Sequence, residues 1–321
     1  MQYSVVVPIF KDGYLCEAFC AELESVMSSY AAPVPVNEAV EVIFVNDGSP
    51  DDSLDTLLQL RDRYDFVRVI DLSRNFGQHI AIACGMREAR GEIVLRMNVD
   101  MQDPPAEIPK LLDVMKAGDF DLVVGQYSER RSPLVTKVMA WLYYAIFRFL
   151  TGFETRQNTS PLRAMSRRFV DAYNRLTEKS RFPQGLDPWL GFRQNYVEIE
   201  HRERLDNRSS YGFWSRLRLG VNGILYFSER PLQLVVIVGF FLAAIGLMLG
   251  AYIIFDKLTG YDYVPGYASL ASLGLIALGL QLGCTGLVGV YVAKIFSEVQ
   301  NRPLYLIRKS FDSKSSLVAT E

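Results

Sequence analysis

Residues 40 to 49 read Val40-Glu41-Val42-Ile43-Phe44-Val45-Asn46-Asp47-Gly48-Ser49. The first six residues are mainly β-branched or aromatic, which is typical of a strand. The last four are polar or small, which is typical of a tight turn, and Pro50-Asp51-Asp52-Ser53 can cap a following helix. A strand, a polar turn and a helix in this order predict one βα unit of an α/β sheet.

The same unit recurs along the first 130 residues. We predict strands at 3–8, 40–45, 67–72, 92–97 and 121–125, and helices at about 15–30, from 52 onward and at 77–89. Apolar strands that alternate with helices predict a mostly parallel sheet covered on both faces. Because ligands on such sheets bind beyond the carboxyl ends of the strands, the residues that follow the strands are the candidates for a site.

Polar residues follow two of the predicted strands. Asp47 follows the second, where an acidic side chain can hydrogen-bond a base or a ribose; a capped turn without a ligand is the alternative for this segment alone. Asn98, Asp100 and Gln102 follow the fourth, and alternate residues of an extended chain point the same way. Three oxygen ligands on one face suit Mg²⁺ or Mn²⁺ held against a diphosphate, and a strand-to-loop cap without a ligand is the alternative for this segment alone. Together the two segments predict a nucleotide-diphosphate site.

The last third of the chain contains two long uncharged runs, at 232–255 and 264–293. Each exceeds the ~20 residues that cross a bilayer core, so an integral membrane protein is predicted. Cations flank the pair on both sides, Arg230 before it and Lys294 and Arg302 after it. The positive-inside rule then places the catalytic domain and both termini in the cytosol. Glycines along the second run favour close helix packing within one protomer or between protomers of a homo-oligomer.

Two further stretches, 135–150 and 211–227, mix aromatic and cationic residues beside the apolar runs. Core packing is one interpretation, and contact with the membrane interface is the other.

The charge and metal-ligand content exclude other classes of protein. The 34 Lys and Arg nearly balance the 36 Asp and Glu, so no nucleic-acid partner is expected. Four cysteines without framework spacing and two histidines predict no zinc site.

Short motifs run co-linearly through nearly the whole chain and end in the two apolar runs. They are Val5-Val6-Val7-Pro8, Val45-Asn46-Asp47-Gly48-Ser49, Ser73-Arg74-Asn75-Phe76-Gly77-Gln78-His79, the 100–105 run, Arg181-Phe182 with Gly185 and Trp189, Gly191-Phe192-Arg193-Gln194, Phe227-Ser228 before Pro231-Leu232, and Asn301-Arg302-Pro303-Leu304-Tyr305. With this set the sequence resembles the family 2 glycosyltransferases of the GT-A fold, in particular the polyisoprenyl-phosphate glycosyltransferases. That group includes dolichol-phosphate mannose synthases, undecaprenyl-phosphate glucosyltransferases of the GtrB type and the aminoarabinose transferase ArnC.

The resemblance implies an enzyme that moves a sugar from a UDP- or GDP-type nucleotide sugar to an undecaprenyl-type polyisoprenyl phosphate. It implies inversion at the anomeric carbon and a place at the cytosolic face of a bacterial-type inner (plasma) membrane. It also implies four regions: a GT-A nucleotide-sugar-binding core at 1–130, an acceptor-side segment with interfacial amphipathic helices at 131–230, a transmembrane hairpin at 231–295 and a cytosolic tail at 296–321.

The resemblance further implies which residues act. The residues implied for the nucleotide are Pro8, Asn46, Asp47, Gly48, Ser49, Asn75 and Gly77. Those implied for the metal, Mg²⁺ or Mn²⁺, are Asn98, Asp100 and Gln102. The catalytic set is Asp100, Arg163 and Arg204, with both arginines facing phosphates of the acceptor or donor. The acceptor phosphate and its loop involve Ser160, Arg163, Arg181, Trp189 and Arg208. The alternative for Arg163 is a solvated helix cation, and for Arg204 one more charge in a basic surface stretch.

Three positions depart from the family pattern. Asn98-Val99-Asp100 stands where the family has Asp-x-Asp, so one metal ligand loses its charge and we expect weaker metal binding or a different donor. Pro161 stands where many members have an Asp before Phe-Arg. Ser209-Ser210-Tyr211 replaces the usual Ser-Lys-Tyr, and Arg208 is the candidate replacement cation. A phosphate monoester with a second pKa of about 6 is already anionic at neutral pH, so it needs orientation more than a general base.

Two other functions are considered. A catalytically inactive paralogue that serves as a membrane scaffold is favoured only by Asn98 and Pro161. A processive polysaccharide synthase would show more spans and a Gln-x-x-Arg-Trp motif, whereas residues 184–189 read Gln-Gly-Leu-Asp-Pro-Trp.

Overall fold

The computed structural model describes residues 1–127, 145–150, 158–179, 183–202, 228–259 and 266–313, with residues 152, 156 and 181. The chain forms two compact units. The first comprises residues 1–142, 153–212 and 302–321, and the second comprises residues 143–152 and 213–301.

The first unit is an α/β domain. Its strands are β1 (Tyr3–Ile9), β2 (Val40–Asn46), β3 (Val67–Leu72), β4 (Ile93–Arg96), β5 (Leu122–Tyr127), β6 (Thr159–Ser166), β7 (Gln194–Ile199) and β8 (Ile307–Phe311). Its helices are α1 (Cys16–Tyr30), α2 (Val36–Ala39), α3 (Ser53–Arg63), α4 (Gln78–Glu88), α5 (Ile108–Gly118), α6 (Arg167–Arg175) and α7 (Pro183–Trp189), with 3-10 turns at Gly13–Leu15 and Pro105–Glu107. The predicted alternation of strands and helices over the first 130 residues is confirmed.

The eight strands form one mixed sheet in the order β7-β5-β6-β4-β1-β2-β3-β8. Strands β1 to β4 pair in parallel, as do β5 and β7. Strand β6 is antiparallel to both of its neighbours, and β8 is antiparallel to β3. The prediction of a mostly parallel sheet is therefore confirmed, and the two antiparallel strands come from parts of the chain where no strand was predicted.

Helices cover both faces of the central strands. Val5 and Val7 of β1 lie in one core cluster with Phe19 and Leu23 of α1. On the opposite face α4 approaches β1 so closely that a Cβ at Gly85 would stand 2.4 Å from the Val6 side chain. Central strands that are apolar on both faces are what such a covered sheet requires.

The second unit contains two long helices, α8 (Arg230–Leu258) and α9 (Tyr267–Val299). Within them 230–249 and 276–299 are long and apolar enough to cross a membrane, with mean hydropathies of 2.6 and 1.7. Ser228 accepts a hydrogen bond from the Arg230 N–H at 3.1 Å at the start of α8, and its carbonyl accepts one from the Tyr291 hydroxyl at 2.7 Å. Of the two aromatic stretches, residues 145–150 are helical. Residues 135–144 and 211–227 lie outside the described residues.

Candidate active site

A cavity of about 530 Å³ opens beyond the carboxyl ends of β1, β2 and β4. We call it the strand-end cavity. Its lining residues are Pro8, Ile9, Phe10, Asp12, Asp47, Asn75, Gly77, Gln78, Asn98, Val99, Asp100 and Gln102. Seven of the residues assigned from sequence to the nucleotide or metal are thus brought together. Phe10, Asp12 and Gln78 are additional polar or aromatic members that no assignment included.

Asp47 holds a neighbouring loop while it lines the cavity. Its Oδ1 accepts a hydrogen bond from the Phe76 N–H at 2.7 Å, and its Oδ2 accepts one from the Gly77 N–H at 2.9 Å. Burial raises the pKa of Asp47, against the lowering effect of these two bonds and of Arg74. Carboxylate oxygens carry several lone pairs, so these bonds leave capacity for a ligand. Asp47 therefore fixes the segment 73–77, which we call the 73–77 loop.

The other three residues of the 46–49 turn do not line the cavity. Asn46 is buried, donates from Nδ2 to Asp71 Oδ1 at 2.8 Å and accepts from the Ser49 N–H at 3.2 Å. Gly48 has a positive φ of 62°, and a Cβ there would lie 2.4 Å from the Arg74 carbonyl carbon. The Asn46 hydrogen bonds hold the turn in shape, and the lack of a side chain at Gly48 allows the turn to lie against the 73–77 loop.

The proposed metal ligands meet at the cavity, although not through strand alternation. Strand β4 ends at Arg96, and the chain bends at Met101, which has a positive φ of 59°. Asn98 Oδ1 accepts a hydrogen bond from Gln78 Nε2 at 2.8 Å, and Asp100 Oδ1 accepts one from the Gln102 N–H at 3.3 Å. The common direction of these side chains thus comes from a turn that a periodicity of two cannot describe.

This oxygen set fits a hard divalent cation that takes its remaining ligands from a diphosphate and water. Mg²⁺ in particular is usually bound through one or two carboxylates plus substrate phosphates. Within the described ranges, no group of three or more His, Cys, Asp or Glu side chains is placed to hold a metal ion by itself. The site is therefore one in which Asp100, Asn98 and Gln102 would need a bound diphosphate to complete the coordination.

A buried carboxylate, Asp103, immediately follows the Asp100–Gln102 segment in the sequence. It accepts hydrogen bonds from the Tyr127 hydroxyl at 2.7 Å and from the Ser160 hydroxyl at 2.5 Å. Burial raises the pKa of Asp103, while both hydroxyls oppose that rise. Ser160 was assigned to the acceptor phosphate, and its hydroxyl here joins β6 to residues 98–103, which we call the metal-side loop after the proposed ligands in it. Sequence reasoning missed Asp103, although its place after Asp100 and Gln102 in an Asp-Pro-Pro run was a usable signal.

Arg163 lies on β6 and is buried, so it is not a solvated helix cation. It forms an ion pair with the buried Asp187. Its cross-strand neighbour is Arg96 of β4, also buried, whose Nε has no hydrogen-bond partner among the described residues. Burial, and then the charge of Arg96, lowers the pKa of Arg163 to about 9. Arg96 and Asp187 were not recognised from sequence, because each is an isolated charge in an apolar or irregular stretch.

Two of the remaining acceptor-side residues, Arg181 and Trp189, lie in the described part of the chain. Arg181 is buried and donates from Nη1 to the Tyr173 carbonyl at 3.1 Å and from Nη2 to the Leu176 carbonyl. Trp189, at the end of α7, is 54% exposed. Arg204 and Arg208 lie outside the described residues, so their assignments stay predictions.

The half-buried imidazole of His79, whose Nδ1 is shielded from solvent, predicts a pH dependence of folding stability. Burial, followed by the charges of Arg96 and Arg163, lowers the pKa of His79 from 6.5 to about 4. Between these values the unfolded chain binds a proton that the folded protein does not, so stability falls as pH falls through this window. We expect His79→Gln to recover about 1–2 kcal/mol of that loss at about pH 5.

Chemical unfolding of the detergent-solubilised protein at about pH 5 and pH 8 measures this effect. His201→Gln is the control, since it removes the other histidine of the chain. If the free energy of unfolding changed equally with pH in the unmodified protein and in His79→Gln, His79 would not be the group that causes the pH dependence.

The sheet order and the cavity beyond its parallel strand ends define the class of the protein as an α/β protein of the GT-A fold. The family described as "Glycosyl transferase family 2" matches residues 4–173. The uncharacterized glycosyltransferase YkcC of Bacillus subtilis is 32% identical over 312 residues, which cover 97% of this chain and 94% of that protein. The SfII prophage-derived bactoprenol glucosyl transferase of Shigella flexneri is 32% identical over 312 residues, covering 97% and 98%. The chain therefore belongs to glycosyl transferase family 2, and it is a glycosyltransferase.

Proposed function

We propose that this glycosyltransferase moves a sugar from a nucleotide-diphosphate donor to a polyisoprenyl phosphate at a membrane surface. The observation that carries the proposal is the strand-end cavity, where Asp47, Asp100 and Gln102 converge. Two membrane-length helices in the same chain support a lipid acceptor. The similar protein of Shigella flexneri is named for such an acceptor, bactoprenol.

The donor would lie with its nucleoside against the Asp47 side of the cavity and its diphosphate toward Asp100. Mg²⁺ or Mn²⁺, held by Asp100 with the amide oxygens of Asn98 and Gln102, would neutralise the leaving diphosphate when bound. Asp47 and the 73–77 loop would fix the nucleoside end, and Asp103 would hold the metal-side loop in place through Tyr127 and Ser160.

The transfer itself is an in-line displacement. An oxygen of the acceptor phosphate forms the new bond to the anomeric carbon while the bond from that carbon to the donor diphosphate breaks, with inversion. The acceptor oxygen is already an anion at neutral pH, so Pro161 in place of a carboxylate is compatible with the reaction. Arg163 and Arg204 are proposed to balance phosphate charge, and Arg163 would share its guanidinium between Asp187 and a phosphate.

The membrane orientation is part of the proposal. With cations before the first apolar helix and after the second, the positive-inside rule favours a cytosolic catalytic unit and cytosolic termini. A polyisoprenyl phosphate keeps its tail in the bilayer and presents its phosphate at the surface, where a unit tethered at that depth can reach it. Cations near an anionic leaflet would strengthen this placement.

A direct assay tests the function. Purified full-length protein is incubated with Mn²⁺, undecaprenyl phosphate and a panel of UDP- and GDP-sugars, and lipid-linked monosaccharide is measured. We expect one donor class to give product. Binding of a nucleotide without formation of a lipid product would contradict the proposal of a polyisoprenyl phosphate acceptor. Absence of both nucleotide binding and lipid product would favour the membrane scaffold. A product that lengthens by repeated addition would favour the processive synthase.

Asn98→Asp is expected to strengthen metal binding. The change restores a second carboxylate beside Asp100, and the charge count of a site tunes its affinity for a hard cation. We expect the Mn²⁺ concentration that half-saturates nucleoside-diphosphate binding to fall about tenfold.

Asn75→Asp is the matched control, since Asn75 lines the same cavity and is not one of the three proposed metal ligands. An equal fall for both variants would mean that cavity charge in general, and not coordination at residue 98, sets the affinity.

A further inference from the structure

The segment that follows the second apolar helix returns to the sheet of the first unit. Helix α9 ends at Val299, and β8 begins at Ile307 and pairs antiparallel with the edge strand β3. No strand was predicted here, because Ile307-Arg308-Lys309-Ser310-Phe311 has apolar residues only at its ends. Two carboxylate contacts anchor its far end: Asp312 accepts from Arg68 Nε at 3.0 Å and from Arg90 Nη2 at 3.2 Å.

The β3–β8 ladder contains a bulge at Arg308. Asp71 is paired with Lys309 and Leu72 with Ile307, so Arg308 is the extra residue on β8. A bulge of this kind redirects a side chain. The Arg308 guanidinium reaches the end of β3, where Nη1 lies 3.2 Å from Asp71 Oδ2 and Nη2 donates to the Ser73 carbonyl at 2.7 Å.

Ser73 is held by both of its backbone groups. Its N–H donates to the Leu306 carbonyl at 2.9 Å, and its carbonyl accepts from Arg308. Ser73 is the first residue of the 73–77 loop, whose Asn75 and Gly77 line the strand-end cavity. Residues 306 and 308 therefore fix one end of the loop, while Asp47 fixes the other.

Asp71 links Arg308 to the 46–49 turn as well as to the 73–77 loop. It is 1% exposed, so its carboxylate depends on close partners. Asp71 Oδ2 faces Arg308, and Asp71 Oδ1 accepts a hydrogen bond from Asn46 Nδ2. The side-chain oxygen of Asn46 in turn accepts a hydrogen bond from the Ser49 N–H. The 46–49 turn and the 73–77 loop are thus both connected to one arginine.

We propose that Arg308 is a positioning residue for the donor nucleotide, acting through Asp71 and Ser73 on the two loops that form the nucleotide side of the strand-end cavity. Arg308 itself touches no substrate. The proposal rests on the proposed function, since it takes the ligand of the cavity to be a nucleoside diphosphate. Its consequence is that the segment after the second apolar helix completes a donor site whose other parts come from the first 102 residues.

The test measures nucleotide affinity in the full-length, detergent-solubilised protein. UDP and, separately, GDP are titrated calorimetrically in the presence of Mn²⁺, and the nucleotide that binds is used for all variants. Arg308→Gln is expected to raise its Kd about tenfold, which corresponds to the loss of hydrogen bonds to charged groups. The KM for undecaprenyl phosphate is expected to stay unchanged. Arg308→Lys keeps the charge near Asp71 and is expected to restore part of the affinity.

Two variants serve as controls. Lys309→Gln removes the same charge from the next residue, whose ammonium lies over the Phe311 ring. Asp312→Asn loosens the far end of β8, away from the 73–77 loop. Both are expected to leave the nucleotide Kd within about twofold.

Three outcomes would contradict the proposed role of Arg308, and the third would also contradict the proposed function. A lower unfolding temperature for Arg308→Gln with an unchanged Kd would show a purely structural contact and overturn the inference. So would an equal rise in Kd for Asp312→Asn, since strand attachment in general would then set the site. If the unmodified protein binds neither UDP nor GDP, the proposed function fails, and this inference fails with it.

Discussion

Asp100→Asn is expected to lower sugar transfer about a thousandfold, the largest functional effect of any single change considered. Asp100 is the one carboxylate among the three proposed metal ligands, and Asn98 and Gln102 contribute only neutral amide oxygens. Replacement by an amide leaves a buried site with no ligand charge to balance the cation. The measurement is the rate of lipid-linked sugar formation at saturating donor, together with the Mn²⁺ dependence of nucleotide binding.

Asp12→Asn is the matched comparison, because Asp12 is another acid that lines the strand-end cavity. We expect it to keep most of the activity. If Asp12→Asn abolished transfer and Asp100→Asn retained it, the metal assignment would be wrong. The GT-A fold and the family membership would be unaffected, since they do not depend on which acid binds the cation.

Asp187→Asn is expected to destabilise the folded protein by about 3–5 kcal/mol. Asp187 forms an ion pair with Arg163, beside the equally buried Arg96. Removal of its charge leaves two neighbouring guanidiniums in a site of low dielectric constant. Such a loss exceeds what most single substitutions cause, because an uncompensated buried charge has no solvent to screen it. Chemical unfolding in detergent at neutral pH measures the difference.

Two further variants test the cause. Asp171→Asn makes the same chemical change in an exposed pair with Arg167, 4.0 Å apart, and is expected to cost less than about 0.5 kcal/mol. Combining Asp187→Asn with Arg163→Met removes both charges of the pair and is expected to recover part of the lost stability. A single Asp187→Asn variant as stable as the unmodified protein would mean that another acid neutralises the two arginines.

The local sequence pattern was sufficient to predict most strands of the parallel part of the sheet and the two long apolar helices. A strand such as Val40–Asn46 is apolar for most of its length and ends in a polar turn, and both properties are set by neighbouring residues. The same holds for the long apolar helices, whose character depends on composition alone. The position of Asp47 and Asp100 near one cavity also followed, because parallel strands deliver their carboxyl ends to one edge of a sheet.

The antiparallel strands β6 and β8 show where local pattern was insufficient. Thr159-Ser160-Pro161-Leu162-Arg163 and Ile307-Arg308-Lys309-Ser310-Phe311 carry too many polar residues to predict a strand. They are strands because β4, β5 and β3 offer them unpaired backbone groups, and those partners are distant in sequence.

Sequence by itself determined the α/β class, the two apolar helices, the family resemblance and the strand-end residues that gather at the cavity. Only the tertiary structure decided what each polar side chain contacts. Asn46 bonds to Asp71, Ser160 to Asp103 and Arg163 to Asp187, none of them within 20 residues of its partner. The physical reason is that a buried polar group must find a partner, and which partner it finds depends on the elements that pack against it, wherever they lie in the chain.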